Sequence, residues 1–123
     1  MNALVVDDSR ATRAILKRIL ASLGLELAAE ASNGVEALAR LGEIAAPDLM
    51  LVDWNMPEMN GLELVQSVRA DAAYAATRIL MVTTESEAAQ ISTALAAGAD
   101  EFLMKPFSAD DLRAKLEMLG WQG

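Results

Sequence analysis

The sequence predicts an α/β protein with a five-stranded parallel sheet and five helices packed on it. Two observations carry that reading. Five short apolar runs alternate with five segments of helical period, and strands that alternate with helices pair in parallel through helical crossovers. Three of the runs, at residues 3–6, 49–52 and 79–82, are continuously apolar, which suits strands covered on both faces. A chain of 123 residues fits one domain, taken as residues 1–123 with no effector domain. Its 54 % hydrophobic content supplies a core that needs no disulfide or structural metal.

The elements follow in order. Residues 3–6 form the first strand. Ile15, Leu16, Ile19, Leu20 and Leu23 then recur at helical spacing, with Arg10, Arg13, Lys17 and Arg18 on other faces, and Gly24 marks the stop. Residues 25–31 alternate around Glu26 and Glu30, the pattern of a partly exposed edge strand, and Asn33-Gly34 predicts a turn. Val35, Leu38 and Leu41 give a short second helix closed near Gly42. Pro47 precedes the third strand, 49–52, and Leu62, Val65 and Val68 lie on a third helix. Residues 79–82 are the fourth strand. Ala88, Ile91 and Leu95 lie on a fourth helix ending at Gly98, and residues 102–104 are the fifth strand. Ser108 is a candidate N-cap for a fifth helix that carries Leu112, Leu116 and Leu119 and stops at Gly120.

In a parallel sheet all strands point one way, and sites form at their carboxyl ends. Here those ends carry Asp7-Asp8, Asp53, Thr83-Thr84-Glu85 and Lys105-Pro106. Singly, each residue has an ordinary use. An Asp caps a helix or shapes a turn, a Thr suits a strand, and a Lys is usually solvated. Together they bring three carboxylates, a hydroxyl and an ammonium to one rim. Two carboxylates ~4 Å apart repel by about 4 kcal/mol at an effective dielectric of about 20. A divalent cation relieves this, and Mg²⁺ suits a site of one or two carboxylates, waters and phosphate oxygens. Asp7, Asp8 and Asp53 are the candidate ligands, with a backbone carbonyl from the loop after Asp53. Lys105 balances remaining charge. One carboxylate is then free to attack phosphorus, with Mg²⁺, Lys105 and the Thr83 hydroxyl on the phosphoryl oxygens.

Two absences narrow the chemistry. With no Cys there is no thiol nucleophile, disulfide or thiolate-bound metal, and with no His there is no imidazole base or phosphohistidine. A net charge of −8 argues against a nucleic-acid surface. No apolar run approaches the ~20 residues of a membrane span, and "MNALVVDDSR" lacks the basic start and long apolar run of a secretory signal. The expectation is a soluble, cytoplasmic protein that binds neither nucleic acid nor membrane.

The stretches "VVDDS", "DWNMPEMNGLEL", "MVTTES" and "AGADEFLMKPF", in that order, resemble response-regulator receiver domains, and most of all the single-domain chemotaxis type. The resemblance covers essentially the whole chain. It implies a doubly wound, flavodoxin-like sheet of order 2-1-3-4-5; that order belongs to the family and does not follow from the spacing. It makes Asp53 the phosphoacceptor, Asp7 and Asp8 the acidic pair that binds Mg²⁺, and Asn55 the source of the carbonyl ligand. Thr83 and Lys105 match the residues that contact the phosphoryl group. Thr83 is expected to move toward the phosphate while Phe102, at the aromatic position of strand 5, turns inward. The Lys105-Pro106 bond is expected to be cis.

The implied partners are a sensor histidine kinase or histidine phosphotransfer protein as donor, and a protein target bound by the helix 4–strand 5–helix 5 face. The chain is expected to be a monomer in a two-component system, with only self-phosphorylation and autodephosphorylation as activities. Asn55 and Glu85 are expected to tune hydrolysis. So is Thr84, which is bulkier than the small residue usual beside the switch threonine. Helix 4, "SEAAQISTALAAG", also departs from the chemotaxis type in having no lysine. Two other readings remain: a Mg²⁺-dependent aspartyl phosphohydrolase, against which Asp53-Trp54-Asn55 stands where Asp-x-Asp is expected, and a receiver-like binding module that never takes phosphate.

Overall fold

The computed structural model describes residues 1–122; the Glu85 side chain, expected to tune hydrolysis, lies outside the described residues. The elements are β1 (Asn2–Val6), α1 (Arg10–Ser22), β2 (Glu26–Ala31), α2 (Gly34–Leu41), β3 (Leu49–Asp53), α3 (Gly61–Arg69), β4 (Arg78–Thr83), α4 (Ile91–Ala97), β5 (Glu101–Met104) and α5 (Ala109–Met118). Short 3₁₀ segments at Ala72–Tyr74 and Glu85–Gln90 precede β4 and α4.

All neighbouring strands pair in parallel, in the order β2-β1-β3-β4-β5. This is the order of the receiver family. The chain winds from β1 outward to β2, then returns to the other side of β1. The carboxyl ends of β1 and β3 therefore lie side by side where the winding reverses, the place at which such sheets bind ligands.

The period of two along each strand divides the core. Leu4, Val6, Met50, Val52, Ile79 and Met81 face α2, α3 and α4, where they meet Ala37, Leu41, Leu64, Val65, Val68 and Ala94. Ala3, Val5, Leu49, Leu51, Leu80 and Val82 face the other way, onto Leu16 and Leu20 of α1 and Leu112 and Leu116 of α5. Both faces are covered, which is why the runs of β1, β3 and β4 are continuously apolar.

The helical phase differs from the sequence reading at three positions. Ile15, Val35 and Leu95 are 47 %, 49 % and 40 % exposed. Each helix covers one face of the sheet and buries a narrow stripe, which α1 fills with Leu16 and Leu20 and α2 with Ala37 and Leu41. On α4 the buried position is Ala94, whose small side chain lets the helix lie close, and Leu95 turns outward. The fourth helix also starts late. Ala88 belongs to the 3₁₀ segment and the α-helix begins at Ile91. Asn33 is a cap and not part of a free turn: its side chain accepts from the Glu36 N–H at 2.8 Å at the start of α2.

The end of α4 is tied to α3. Gly98 has φ +120°, and the Arg69 side chain occupies the space where a Cβ would stand. Arg69 donates to the carbonyls of Gly98, Tyr74 and Thr77 at 2.8, 2.8 and 2.7 Å and to Asp100 at 2.9 Å. This holds the sheet side of α3 and the loop before β5 as one unit. Among the described residues, no helix is long and apolar enough to cross a membrane.

Candidate functional site

None of the three acidic residues at the rim is a helix cap. Ser9 caps α1, accepting from the Thr12 N–H at 3.2 Å, so neither Asp7 nor Asp8 is the cap. Asn60 caps α3 in a reciprocal box with Glu63, so Asp53 does not. Asp53 is the last residue of β3, 5 % exposed, and Asp7 follows β1 directly, 1 % exposed. Asp8 is exposed beside them. One carboxylate oxygen from each of the three lies within 4.8 Å of the others.

Backbone and neighbours fix these positions. The Asp7 N–H donates to the Ala31 carbonyl at 3.0 Å, and Asp7 Oδ1 accepts from the Ser9 N–H at 2.8 Å. Arg13 donates to the Asp7 carbonyl at 2.7 Å while its Nε pairs with Glu30 at 2.9 Å. Lys17 also binds Glu30, at 2.8 Å, and the bonds from Lys17 and Arg13 hold the Glu30 carboxyl below its ordinary value. Gly61 opens α3 directly under β3. Its N–H donates to the Trp54 carbonyl at 2.9 Å, and a Cβ there would collide with the Asp53 carbonyl oxygen. Only glycine permits that approach.

Lys105 comes from the end of β5. Its N–H donates to the Thr83 carbonyl at 2.7 Å, and the Lys105-Pro106 bond is cis, as the resemblance implied. The ammonium lies 3.3 Å from Asp53 Oδ1 and 3.4 Å from Asp7 Oδ2. Three carboxylates face one ammonium. Burial and the Asp7 charge raise the Asp53 pKa to about 7, against the opposing pull of Lys105 and with a further push from Asp8. Burial works to lower the pKa of Lys105, but the carboxylates of Asp53 and Asp7 outweigh it and the net shift is upward. An all-oxygen set with excess negative charge fits a hard divalent cation of the Mg²⁺ kind.

The remaining predicted residues fall around this centre. Thr83 ends β4 one residue beyond Val82, the register partner of Asp53, and is 1 % exposed. Its hydroxyl lies 3.3 Å from both the Thr84 carbonyl and Glu87 Oε1. Thr84 turns its hydroxyl toward Ser86, at 2.9 Å, and Glu87 Oε1, at 3.1 Å. Asn55 lies in the loop after β3, and its amide donates to Glu87 Oε2 at 2.7 Å. Phe102 is half-buried on β5, packed against the core on the α2, α3 and α4 side of the sheet, with the Lys115 ammonium 4.1 Å from its ring centre.

Sequence reasoning missed two residues. The sequence places Arg13 only among the charges on the other faces of α1. Glu87 was not singled out, although Thr84-Glu85-Ser86-Glu87 has the spacing of a capping box: the Thr84 N–H donates to Glu87 Oε1 at 2.9 Å.

Residues 3–117 match the sequence profile of the response regulator receiver domain. Chemotaxis protein CheY1 of Helicobacter pylori (strain ATCC 700392 / 26695) is 46 % identical over 119 residues, which cover 97 % of this chain and 96 % of that protein. A chemotaxis protein CheY homolog of Campylobacter jejuni (serotype O:23/36, strain 81-176) is 48 % identical over 117 residues, 95 % of this chain and 90 % of that one. Among solved structures, Vibrio cholerae chemotaxis protein CheY4 superposes with a TM-score of 0.86 at 37 % identity, covering 95 % and 96 % of the two chains. With this sheet order, this acidic cluster and a profile match over nearly its full length, the chain belongs to the response-regulator receiver-domain family.

Proposed function

We propose that this protein is a phosphoacceptor switch of a two-component system, with Asp53 as the acceptor. The observation that carries the reading is the ammonium of Lys105, which bridges Asp53 and Asp7 from the far side of β4. A buried carboxylate that caps nothing, set beside an ammonium that partly offsets the charge of its neighbours, fits a nucleophile.

A carboxylate oxygen of Asp53 forms the bond to phosphorus as the phosphorus–nitrogen bond of a donor phosphohistidine breaks. The electron pair leaves with the imidazole nitrogen, which takes a proton from water. The histidine belongs to a partner, a sensor kinase or phosphotransfer protein, because this chain has none. Asp7, Asp8, Asp53 and the Asn55 carbonyl would hold Mg²⁺, which when bound offsets the carboxylate charge and that of the phosphoryl oxygens. Lys105 and the Thr83 hydroxyl take the other phosphoryl oxygens. Water later releases the phosphate, at a rate tuned by Asn55, Thr84 and Glu85.

The output is binding of a protein target by the α4–β5–α5 face. Similarity to chemotaxis proteins supports a chemotaxis output, and a phosphorelay shuttle would use the same chemistry. Helix α4 brings no charged side chain to that face, while Leu95 and the Phe102–Lys115 pair do lie on it. Incubation with acetyl phosphate and Mg²⁺ tests the acceptor: intact mass should rise by one phosphoryl group in the wild type and stay unchanged in Asp53→Asn. Equal labelling of the variant would remove Asp53 from the role.

A further inference from the structure

Glu87 accepts four hydrogen bonds from three residues at the mouth of the site. Oε1 takes the Thr84 N–H at 2.9 Å, the Thr84 hydroxyl at 3.1 Å and the Thr83 hydroxyl at 3.3 Å, and Oε2 takes the Asn55 amide at 2.7 Å. Among the described residues it has no cationic partner; the one ammonium nearby, Lys105, is committed to Asp7 and Asp53. The distances divide into two classes. The bonds from Asn55 and the Thr84 N–H are short and anchor the carboxylate. Those of the Thr83 hydroxyl, to Glu87 and to the Thr84 carbonyl, are both 3.3 Å, long for a hydroxyl donor. Thr83 is therefore held loosely by a group that is itself held firmly.

We propose that Glu87 is a positioning residue that keeps the Thr83 hydroxyl in its resting arrangement and competes with the phosphoryl group for it. The inference rests on the phosphoacceptor reading of Asp53. A hydroxyl has one proton to donate. At rest that proton is shared between Glu87 and a carbonyl. When Asp53 carries a phosphoryl group, the proton must pass to a phosphoryl oxygen, and Glu87 loses one of four donors while the other three keep it in place. Release costs little, so the resting and activated arrangements stay close in free energy. Because Glu87 also holds Asn55, the loop after β3 and the end of β4 are joined through one side chain.

The test is beryllofluoride affinity of the full chain at saturating Mg²⁺, for wild type, Glu87→Gln, Thr83→Val and the double variant. Glu87→Gln keeps the size and a carbonyl acceptor but weakens the hold on Thr83, which raises the population ready to bind. Its affinity should tighten about fivefold, the factor for one net hydrogen bond. In the Thr83→Val background that gain should vanish, because no hydroxyl remains to be released. An equal gain in both backgrounds would show simple charge repulsion and overturn the proposal, as would no gain from Glu87→Gln where the native Thr83 is kept. Glu87→Ala, with its fold checked by thermal melting, should show the same dependence on Thr83. Wild-type protein that takes no beryllofluoride would overturn the acceptor reading and this inference together; normal wild-type binding without the Glu87 effect would overturn this inference alone.

Discussion

Lys105 and Asp53 meet across a strand that belongs to neither. β3 and β5 both pair with β4 and not with each other, yet the Lys105 ammonium reaches to 3.3 Å from Asp53 Oδ1 and continues to Asp7, at the end of β1, at 3.4 Å. Two strand spacings of about 4.8 Å each separate β5 from β3, a gap that a long flexible side chain at the rim, met by the Asp53 carboxylate, can close where a short one cannot. One ammonium thus holds carboxylates from two strands in partial balance.

Removing that ammonium should change metal affinity in a definite direction. In Lys105→Met the three carboxylates lose their internal cation, so Mg²⁺ should bind more tightly than in the wild type. The apo protein should lose about 1–3 kcal/mol, the cost of leaving a buried acceptor without its partner. Mg²⁺ titration and urea unfolding measure the two effects. Weaker Mg²⁺ binding in the variant would contradict this charge balance.

The raised pKa of Asp53 sets a pH dependence of stability. Its folded value is about 7 and its ordinary value 3.8, so between these the folded state holds more protons than the unfolded state. Apo stability should therefore fall as pH rises from about 3.8 to about 7 and level off above, as far as Asp53 contributes. Asp53→Asn should flatten that fall. The check is the urea midpoint of both proteins across the window, without divalent ions; parallel slopes would place the titration elsewhere.

Mg²⁺ should stabilise the fold, since only the folded chain gathers Asp7, Asp8 and Asp53 within 4.8 Å. At 100 times its Kd the gain should be about 2.7 kcal/mol. Trp54 follows Asp53 and is 8 % exposed, so its fluorescence should report binding over a constant background from Trp121. A melting temperature indifferent to Mg²⁺ would argue that the cluster binds no ion.

Thr84 should slow loss of the phosphoryl group. Its hydroxyl is engaged by Ser86 and Glu87, so the β-branched side chain is fixed beside Thr83. Thr84→Ala should dephosphorylate faster, and Thr84→Ser, which keeps the hydroxyl, should fall between. The readout is decay of phosphorylated protein at saturating Mg²⁺ after the donor is removed. Equal rates in all three would mean that this side chain lies off the path of the water.

The strand–helix alternation was legible because each element has its own hydrophobic period, and the rim residues because parallel strands deliver every carboxyl end to one edge. Strand boundaries alone put Asp7, Asp8, Asp53 and Lys105 on one rim, and the sheet order, which sets β1 beside β3, then brings the three carboxylates together. Helical phase was less legible. Ile15, Val35 and Leu95 fit a helical stripe as well as their neighbours do, and only the packing of each helix on the sheet selects Leu16, Ala37 and Ala94 for burial.

The local sequence thus determined the alternation and the residue types at the rim, since these follow from period, burial and charge. Tertiary structure alone decided that Asp7 and Asp53 share one ammonium and that Glu87 joins Asn55 to Thr83. The physical reason is range. Caps and periods act over a few residues, whereas a side-chain hydrogen bond between β3 and β4, or an ion pair from β5 to β1, depends on the distance between chain segments that the packed core sets.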